Sequence, residues 1–268
     1  MTLNTQALVP PTRWKQDAIV AAIWGVLAGL SVAAVIPYLL QLAPDVAKKI
    51  PVPLPVLATL QAAQAFLLLG LLSFLGLRMG HAVGLGSPLM RSLVERSAPA
   101  WQELRPLRSV VVGVLAALVV IAASRVLDPL LPAPLHPIAD PGAGRSALNG
   151  LLASFYGGIA EELQLRLFLM TLLVWLFSRF GRNKAGSATY WVAIAIASLL
   201  FGIGHLPAAA QVWGLDAIVI VRTVALNAIA GIAFGWLFWK RGIEMAMLAH
   251  FSADIVLHVL APLLGSAG

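Results

Sequence analysis

Residues 146–178 read SALNGLLASFYGGIAEELQLRLFLMTLLVWLFS, a long apolar run with three charges, Glu161, Glu162 and Arg166, at its centre. A run of this length and composition is a membrane-spanning helix. Its 33 residues would rise roughly 50 Å as one α-helix, against a hydrocarbon core of about 30 Å. The expectation is therefore a strongly tilted helix, or a break near Gly157-Gly158 that makes an eighth segment. Each charge at mid-membrane costs about 2.5–3.5 kcal/mol on an insertion scale, so an interior partner or a polar cavity must offset them.

The rest of the chain agrees with a membrane setting. Of 268 residues, 60% are hydrophobic and 11% charged; soluble domains carry about 25% charged residues. Asp17 and Asp45 enclose 27 uncharged residues, and Lys49 and Arg78 enclose 28. The reading is an all-α polytopic helix bundle with seven spans, near 18–43, 52–77, 109–127, 146–178, 188–206, 215–239 and 243–264, and a polar intramembrane cavity. Residues 1–145 form an N-terminal helical part and 146–264 a core that holds the charges, together one integral membrane unit. Seventeen mostly polar residues precede the first span, so it reads as a retained helix rather than a signal peptide. The basic loop 78–108 contains an amphipathic stretch from Leu89 to Leu104, expected on the membrane surface. The loop 128–145 holds Pro129, Pro132, Pro134, Pro137 and Pro141 and is expected to be irregular.

There is no cysteine, which excludes disulfides, thiolate zinc and a cysteine nucleophile. The net charge of +7 resides in basic residues flanking the apolar runs, which favours anionic lipid headgroups as partner over nucleic acid. With the N-terminus in the cytoplasm, the inner segments hold twelve Lys and Arg (Arg13, Lys15, Arg78, Arg91, Arg96, Arg105, Arg108, Arg179, Arg182, Lys184, Lys240, Arg241). The outer segments hold four (Lys48, Lys49, Arg125, Arg145). The positive-inside rule then favours N-in. Composition suggests a prokaryotic protein of the inner or plasma membrane.

Helix geometry separates the two central acids. Residues four apart lie about 40° apart around the axis, so Glu162 and Arg166 can pair. Glu161 is turned about 100° from Glu162 and about 140° from Arg166, and faces another surface. A buried ion pair that fixes packing accounts for Glu162 and Arg166; it does not account for Glu161, which calls for a cavity. Two further clusters lie in apolar segments: Phe201-Gly202-Ile203-Gly204-His205, and His250 with Asp254 one turn on. Each has a plain alternative, an interfacial histidine in the first case and a local His–Asp hydrogen bond in the second. His258 continues the second stripe, near the chain end, where a headgroup role is expected.

A carboxylate and a histidine activate water as a general base, and a second histidine with a nearby acid stabilises an oxyanion. Glu161, His205 and His250 also suit zinc with a bound water. There is no H-E-x-x-H, no Gly-x-Ser-Gly, no Gly-x-Gly-Asp and no P-loop. A transporter that uses the Glu, His, Asp and Arg set as an ion or proton relay is the alternative of another class, with Arg222 and Asn227 of the sixth span in support. A non-catalytic scaffold or immunity protein is a third.

The motifs together resemble a known family. Glu161-Glu162-Leu163-Gln164-Leu165-Arg166 is similar to the E-E-x-x-x-R motif of the CAAX-processing and bacteriocin-processing (CPBP) intramembrane proteases. Phe201 to His205 resembles their F-x-x-x-H motif, and His250 to Asp254 their H-x-x-x-[N/D] motif. Gly235-Trp236-Leu237 and Lys240-Arg241-Gly242 look like the connection before the last motif. The similarity spans about residues 146–260. It implies an endopeptidase for a membrane-associated protein or peptide, of CAAX type or processing a C-terminal tail or leader. It also implies that Glu161 activates water with His205, and that His250 and Asp254 stabilise the oxyanion or complete the site. Glu162, Arg166 and Phe201 would support it. Asp254 stands where many members have Asn; a negative carboxylate donates poorly to an oxyanion, which favours its orienting His250 or ligating a metal. The wording after the acids, Leu165-Arg166-Leu167, also departs from the Phe-Arg-Gly of many members. A metal-independent glutamate-type mechanism is the expectation, with no cofactor favoured and zinc as the alternative.

Overall fold

The computed structural model describes residues 14–42, 50–135, 142–180 and 185–265. Arg13, Lys48, Lys49, Pro137, Pro141, Arg182 and Lys184, used above, lie outside the described residues. Among the described residues there is no strand, and seven helices are long and apolar enough to cross a membrane. We label the helices α1 (Trp14–Leu42), α2 (Leu54–Val83), α3 (Pro88–Val94), α4 (Trp101–Leu104), α5 (Pro106–Leu127), α6 (Ala143–Phe180), α7 (Ser187–Gly204), α8 (Leu206–Trp213), α9 (Ala217–Arg241) and α10 (Ile243–Gly265). The protein is an all-α polytopic bundle.

Helix α6 does not break at Gly157-Gly158. It continues to Phe180 through two π-helical stretches, Tyr156–Glu161 and Leu163–Met170. Such wide turns absorb an irregularity without ending the helix and occur often at functional sites. No eighth segment forms. Ala160, Leu163, Leu167, Met170 and Val174 are fully buried along one face of α6, which places that helix at the centre of the core. Around it α1 pairs with α2, α7 with α9, and α5 with α10. The last pair is close because Gly113 of α5 lies on the backbone of Ala249: any Cβ there would overlap the Ala249 carbonyl. Small residues at such crossings let membrane helices pack by dispersion contacts, where no hydrophobic gain separates helix from lipid.

Successive spans alternate in direction, and the links between their ends fix one common end. Ile243 N donates to Gly86 O at 3.0 Å and Arg241 Nη1 to Glu103 O at 2.6 Å. Glu244 is buried there, accepting from Ser87 Oγ at 2.6 Å and Met90 N at 2.8 Å, while Trp24 Nε1 donates to Ser87 Oγ at 3.0 Å. This end carries most of the basic residues. The stretch expected as one amphipathic surface helix is instead the two short helices α3 and α4, separated by Arg96 at a left-handed φ of 54° and by Pro99. Arg91 and Leu104 are buried, so the segment is docked on the bundle. Its anchor is Asp17 of α1, fully buried, which pairs with Arg91, with Arg78 at 3.1 Å and with His81 at 2.9 Å. Sequence reading had taken Asp17 as a mere boundary charge.

Candidate active site

Three helices bring the expected residues together. Glu161 ends the first π-helical stretch of α6. His205 follows the last residue of α7, where Pro207 redirects the chain into α8. His250 and Asp254 lie on the first half of α10. Glu161 Oε1 is 3.9 Å from His205 Nε2, and its Oε2 is 3.8 Å from His250 Nε2. Asp254 Oδ1 is 3.7 Å from His250 Nε2. The Glu161 carboxylate thus stands between two imidazoles at separations longer than a direct hydrogen bond. Glu161 and His205 side chains are 18% and 36% exposed, against 6% for His250, so the site opens on the Glu161–His205 side.

The second acid does different work. Glu162 is fully buried and pairs with Arg166 one turn on, at 2.8 Å. The same Oε1 lies 2.8 Å from His250 Nδ1. The orienting carboxylate of His250 is therefore Glu162, where Asp254 was expected. Arg166 also donates to Gly231 O at 3.3 Å and lies over the rings of Phe201 (4.8 Å) and Phe234 (5.6 Å). A guanidinium held by a carboxylate, a carbonyl and two ring faces is a buried cation with its field well compensated.

Ring partners fix both histidines. Nδ1 of His205 lies 2.9 Å from the Phe201 carbonyl. A carbonyl only accepts, so Nδ1 carries a hydrogen, and Nε2 is the ring atom turned to Glu161. The edge of Phe201 meets His205 at 4.7 Å and His250 at 5.7 Å between ring centres. Phe234 of α9 stacks on His250 at 4.5 Å. Gly157, one turn before Glu161, closes the floor: a Cβ there would stand 2.5 Å from Asp254 Oδ2 and 3.0 Å from His250 Nε2.

Phe234, Gly231 and Gly157 were not read as site residues from the sequence. The signal was present in part, because Gly231, Phe234 and Gly235 share one helical face, but a stripe of that kind is ordinary core. Other expectations fall elsewhere. Arg222 pairs with Asp128 at 2.9 Å, and Asn227 donates to its own helix at Thr223 O, so neither joins the cluster. His258 packs edge-on against Tyr38 at 5.7 Å, inside the bundle.

Zinc holds its ligands at about 2.0–2.2 Å, which brings tetrahedral donor atoms to about 3.3–3.6 Å of one another. Between Glu161 and the two imidazoles the donor atoms stand 3.8–3.9 Å apart, wider than that, and among the described residues no three His, Asp or Glu side chains form a metal-ligand group. Glu161, His205 and His250 do not fit zinc as they stand, and no step below runs through a metal.

Residues 143–256, a little under half of the chain, match the family model described as Rce1-like, type II CAAX prenyl endopeptidase. The match agrees with the CPBP/CAAX protease family that the motifs resemble. No curated protein and no solved structure matches the chain. The Rce1-like segment contains every residue of the cluster, from Gly157 to Asp254, and begins where α6 begins. With seven membrane-length apolar helices among the described residues, four of them in or starting in this segment, the protein is an integral membrane protein. The family supports, in general, a CAAX-type intramembrane endopeptidase, and it implies a membrane-associated protein as substrate.

Proposed function

We propose that the protein hydrolyses a peptide bond of a membrane-associated protein or peptide with water activated by Glu161 and His205. The observation that carries this is the division of the acids. Glu162 is committed to Arg166 and His250, whereas Glu161 faces two imidazole Nε2 atoms at 3.8–3.9 Å. A contact of that length suits one bridging water. Such a water donates one hydrogen to the Glu161 carboxylate and the other to the His205 lone pair.

In the reaction, Glu161 takes a proton from the water as its oxygen attacks the scissile carbonyl. The C–O bond forms, the carbonyl π pair moves to oxygen, and an oxyanion results. His250 Nε2 donates to that oxyanion only when the ring carries both protons; Glu162 against Nδ1 and Asp254 beside Nε2 offset the resulting charge. The proton held by Glu161 then passes to the leaving nitrogen as the C–N bond breaks. Asp254 works through His250 and does not itself donate. The glutamate-type assignment, the individual roles, and an orientation with the basic end in the cytoplasm are parts of this proposal.

The test is cleavage of a lipid-embedded peptide carrying a C-terminal CAAX-like tail. Glu161→Gln and His205→Ala should abolish turnover while leaving the protein folded. Full activity in both would remove the proposal. Ion flux in proteoliposomes that depends on Glu161, without cleavage, would assign the cluster to transport instead.

A further inference from the structure

The basic end of the bundle holds a second cluster, away from the acids and histidines. We propose that Arg105, Arg108 and Arg241 bind the phosphate of an anionic phospholipid headgroup between the ends of α5 and α9.

The residues converge from two spans. Arg105 and Arg108 open α5, and Lys240 and Arg241 close α9. Arg241 is fastened beside them by its bond to Glu103 O. It lies within electrostatic reach of Arg105, Arg108 and the Glu103 carboxylate, while Lys240 lays its ammonium over the Trp239 ring at 3.3 Å. Three cations around one facing carboxylate repel one another. Arg105 is held in place regardless, at a φ of 53° and with Nε on Gln102 O at 3.1 Å. Like charges fixed this closely call for an anion, and a phosphate accepts from several guanidinium groups at once.

The surroundings select a lipid as the source of that phosphate. The cations stand at the ends of two membrane spans, which is headgroup depth. Trp101 beside them is 53% exposed, as interfacial tryptophans are. From Arg108 an exposed apolar stripe runs down α5 through Leu107, Val111, Leu115 and Leu118, the first of them 76% exposed. A headgroup at the arginines would lay its acyl chains along that stripe. A soluble phosphate would gain nothing from it. The clamp also bears on the candidate site. α5 carries Gly113 against Ala249, next to His250, and α9 carries Phe234 on the His250 ring.

The experiment measures binding of phosphatidylglycerol and phosphatidylcholine to the full chain in detergent, by native mass spectrometry and by thermal unfolding. The proteins are the unaltered chain, Arg108→Gln, Arg108→Gln/Arg241→Gln, and Arg125→Gln at the opposite end of α5. Each basic group near a lipid surface contributes roughly fivefold in affinity, so the single variant should bind phosphatidylglycerol about 5-fold more weakly and the double about 25-fold. The rise in unfolding temperature with phosphatidylglycerol should shrink in step, while Arg125→Gln keeps it. Equal effects of the two lipids, an equal loss in Arg125→Gln, or the same stabilisation by inorganic phosphate alone would each overturn the proposal. Arg108 is exposed, so its single variant folds and keeps the test decisive. Peptidase activity does not enter the readout, and the outcome is independent of the catalytic reading.

Discussion

Glu161 and Glu162 are adjacent, identical and in the same helix, and their glutamine variants should fail in opposite ways. Glu162 is fully buried and its Oε1 serves Arg166 and His250, both at 2.8 Å. Glu162→Gln keeps the shape but leaves the Arg166 guanidinium, 1% exposed, without a counter-charge. Breaking a buried pair by removing one partner costs about 3–5 kcal/mol. Phe201, Phe234 and the Gly231 carbonyl still hold the guanidinium, so the lower figure is the better expectation. For a chain of this size each kcal/mol shifts the midpoint by about 2–4 °C, which gives a fall of about 10 °C. Glu161 has no such partner and its side chain is 18% exposed. Glu161→Gln should leave the midpoint within about 2 °C and lower cleavage by about 10²–10⁴-fold, the usual worth of a general base. The assays are thermal unfolding in detergent and cleavage of a reconstituted tail peptide, scored per folded molecule. A Glu161→Gln protein as destabilised as Glu162→Gln would show that both acids are structural. Undiminished turnover in Glu161→Gln would refute the assignment of the base.

Gly157→Ala should cost about 1–3 kcal/mol by overpacking and at least about tenfold in rate, because its Cβ must displace Asp254 or His250; Gly186→Ala, with open space around it, is the matched control in both assays. Phe234→Ala should cost about 3–5 kcal/mol in unfolding and lower the rate further by freeing the His250 ring. Asp17→Asn should destabilise the bundle by about 3 kcal/mol, since Arg78, His81 and Arg91 lose their shared carboxylate, yet leave the turnover of folded protein unchanged. Exhaustive chelation should leave peptide cleavage unaltered; a loss that zinc restores would replace the glutamate-type mechanism with a metal-dependent one.

The spans were legible because lipid imposes their length and composition, and the apolar runs became seven helices among the described residues, although α2 runs six residues past its expected end at 77, to Val83. The Glu162–Arg166 pair was legible for a similar reason, since residues four apart on a helix meet whatever surrounds them. What failed to show were facts of tertiary contact. The Gly157-Gly158 pair looks like a break, but packing against Phe251, Asp254 and His250 holds it in a wide turn of a continuous helix. The stretch from Leu89 to Leu104 has an amphipathic pattern, yet Asp17, far away in sequence, captures Arg91 and docks it. His250 meets two carboxylates, Asp254, near in sequence, at 3.7 Å from Nε2, and Glu162, near only in space, at 2.8 Å from Nδ1. A helical i,i+4 spacing sets the two groups side by side, but only the rotamer chosen under Phe234 decides which ring nitrogen meets which carboxylate.

The chemistry follows from where the hydrogens must be. Both histidines commit Nδ1 to an acceptor, the Phe201 carbonyl for one and the Glu162 carboxylate for the other. Both therefore direct Nε2 at Glu161, with the Asp254 carboxylate beside them, so two acids and two imidazoles share one small space. Such a space is unfavourable in a membrane unless something supplies protons to it. In the proposed reaction a water supplies two, and His250 supplies one more when its ring carries both protons. Each of those is what hydrolysis consumes: a nucleophile with a base against it, and a donor for the oxyanion. The other buried cluster is built differently, with one carboxylate, Asp17, between two arginines and His81 at the basic end. The contrast between these two buried clusters within one bundle is the physical ground for giving one of them to stability and the other to catalysis.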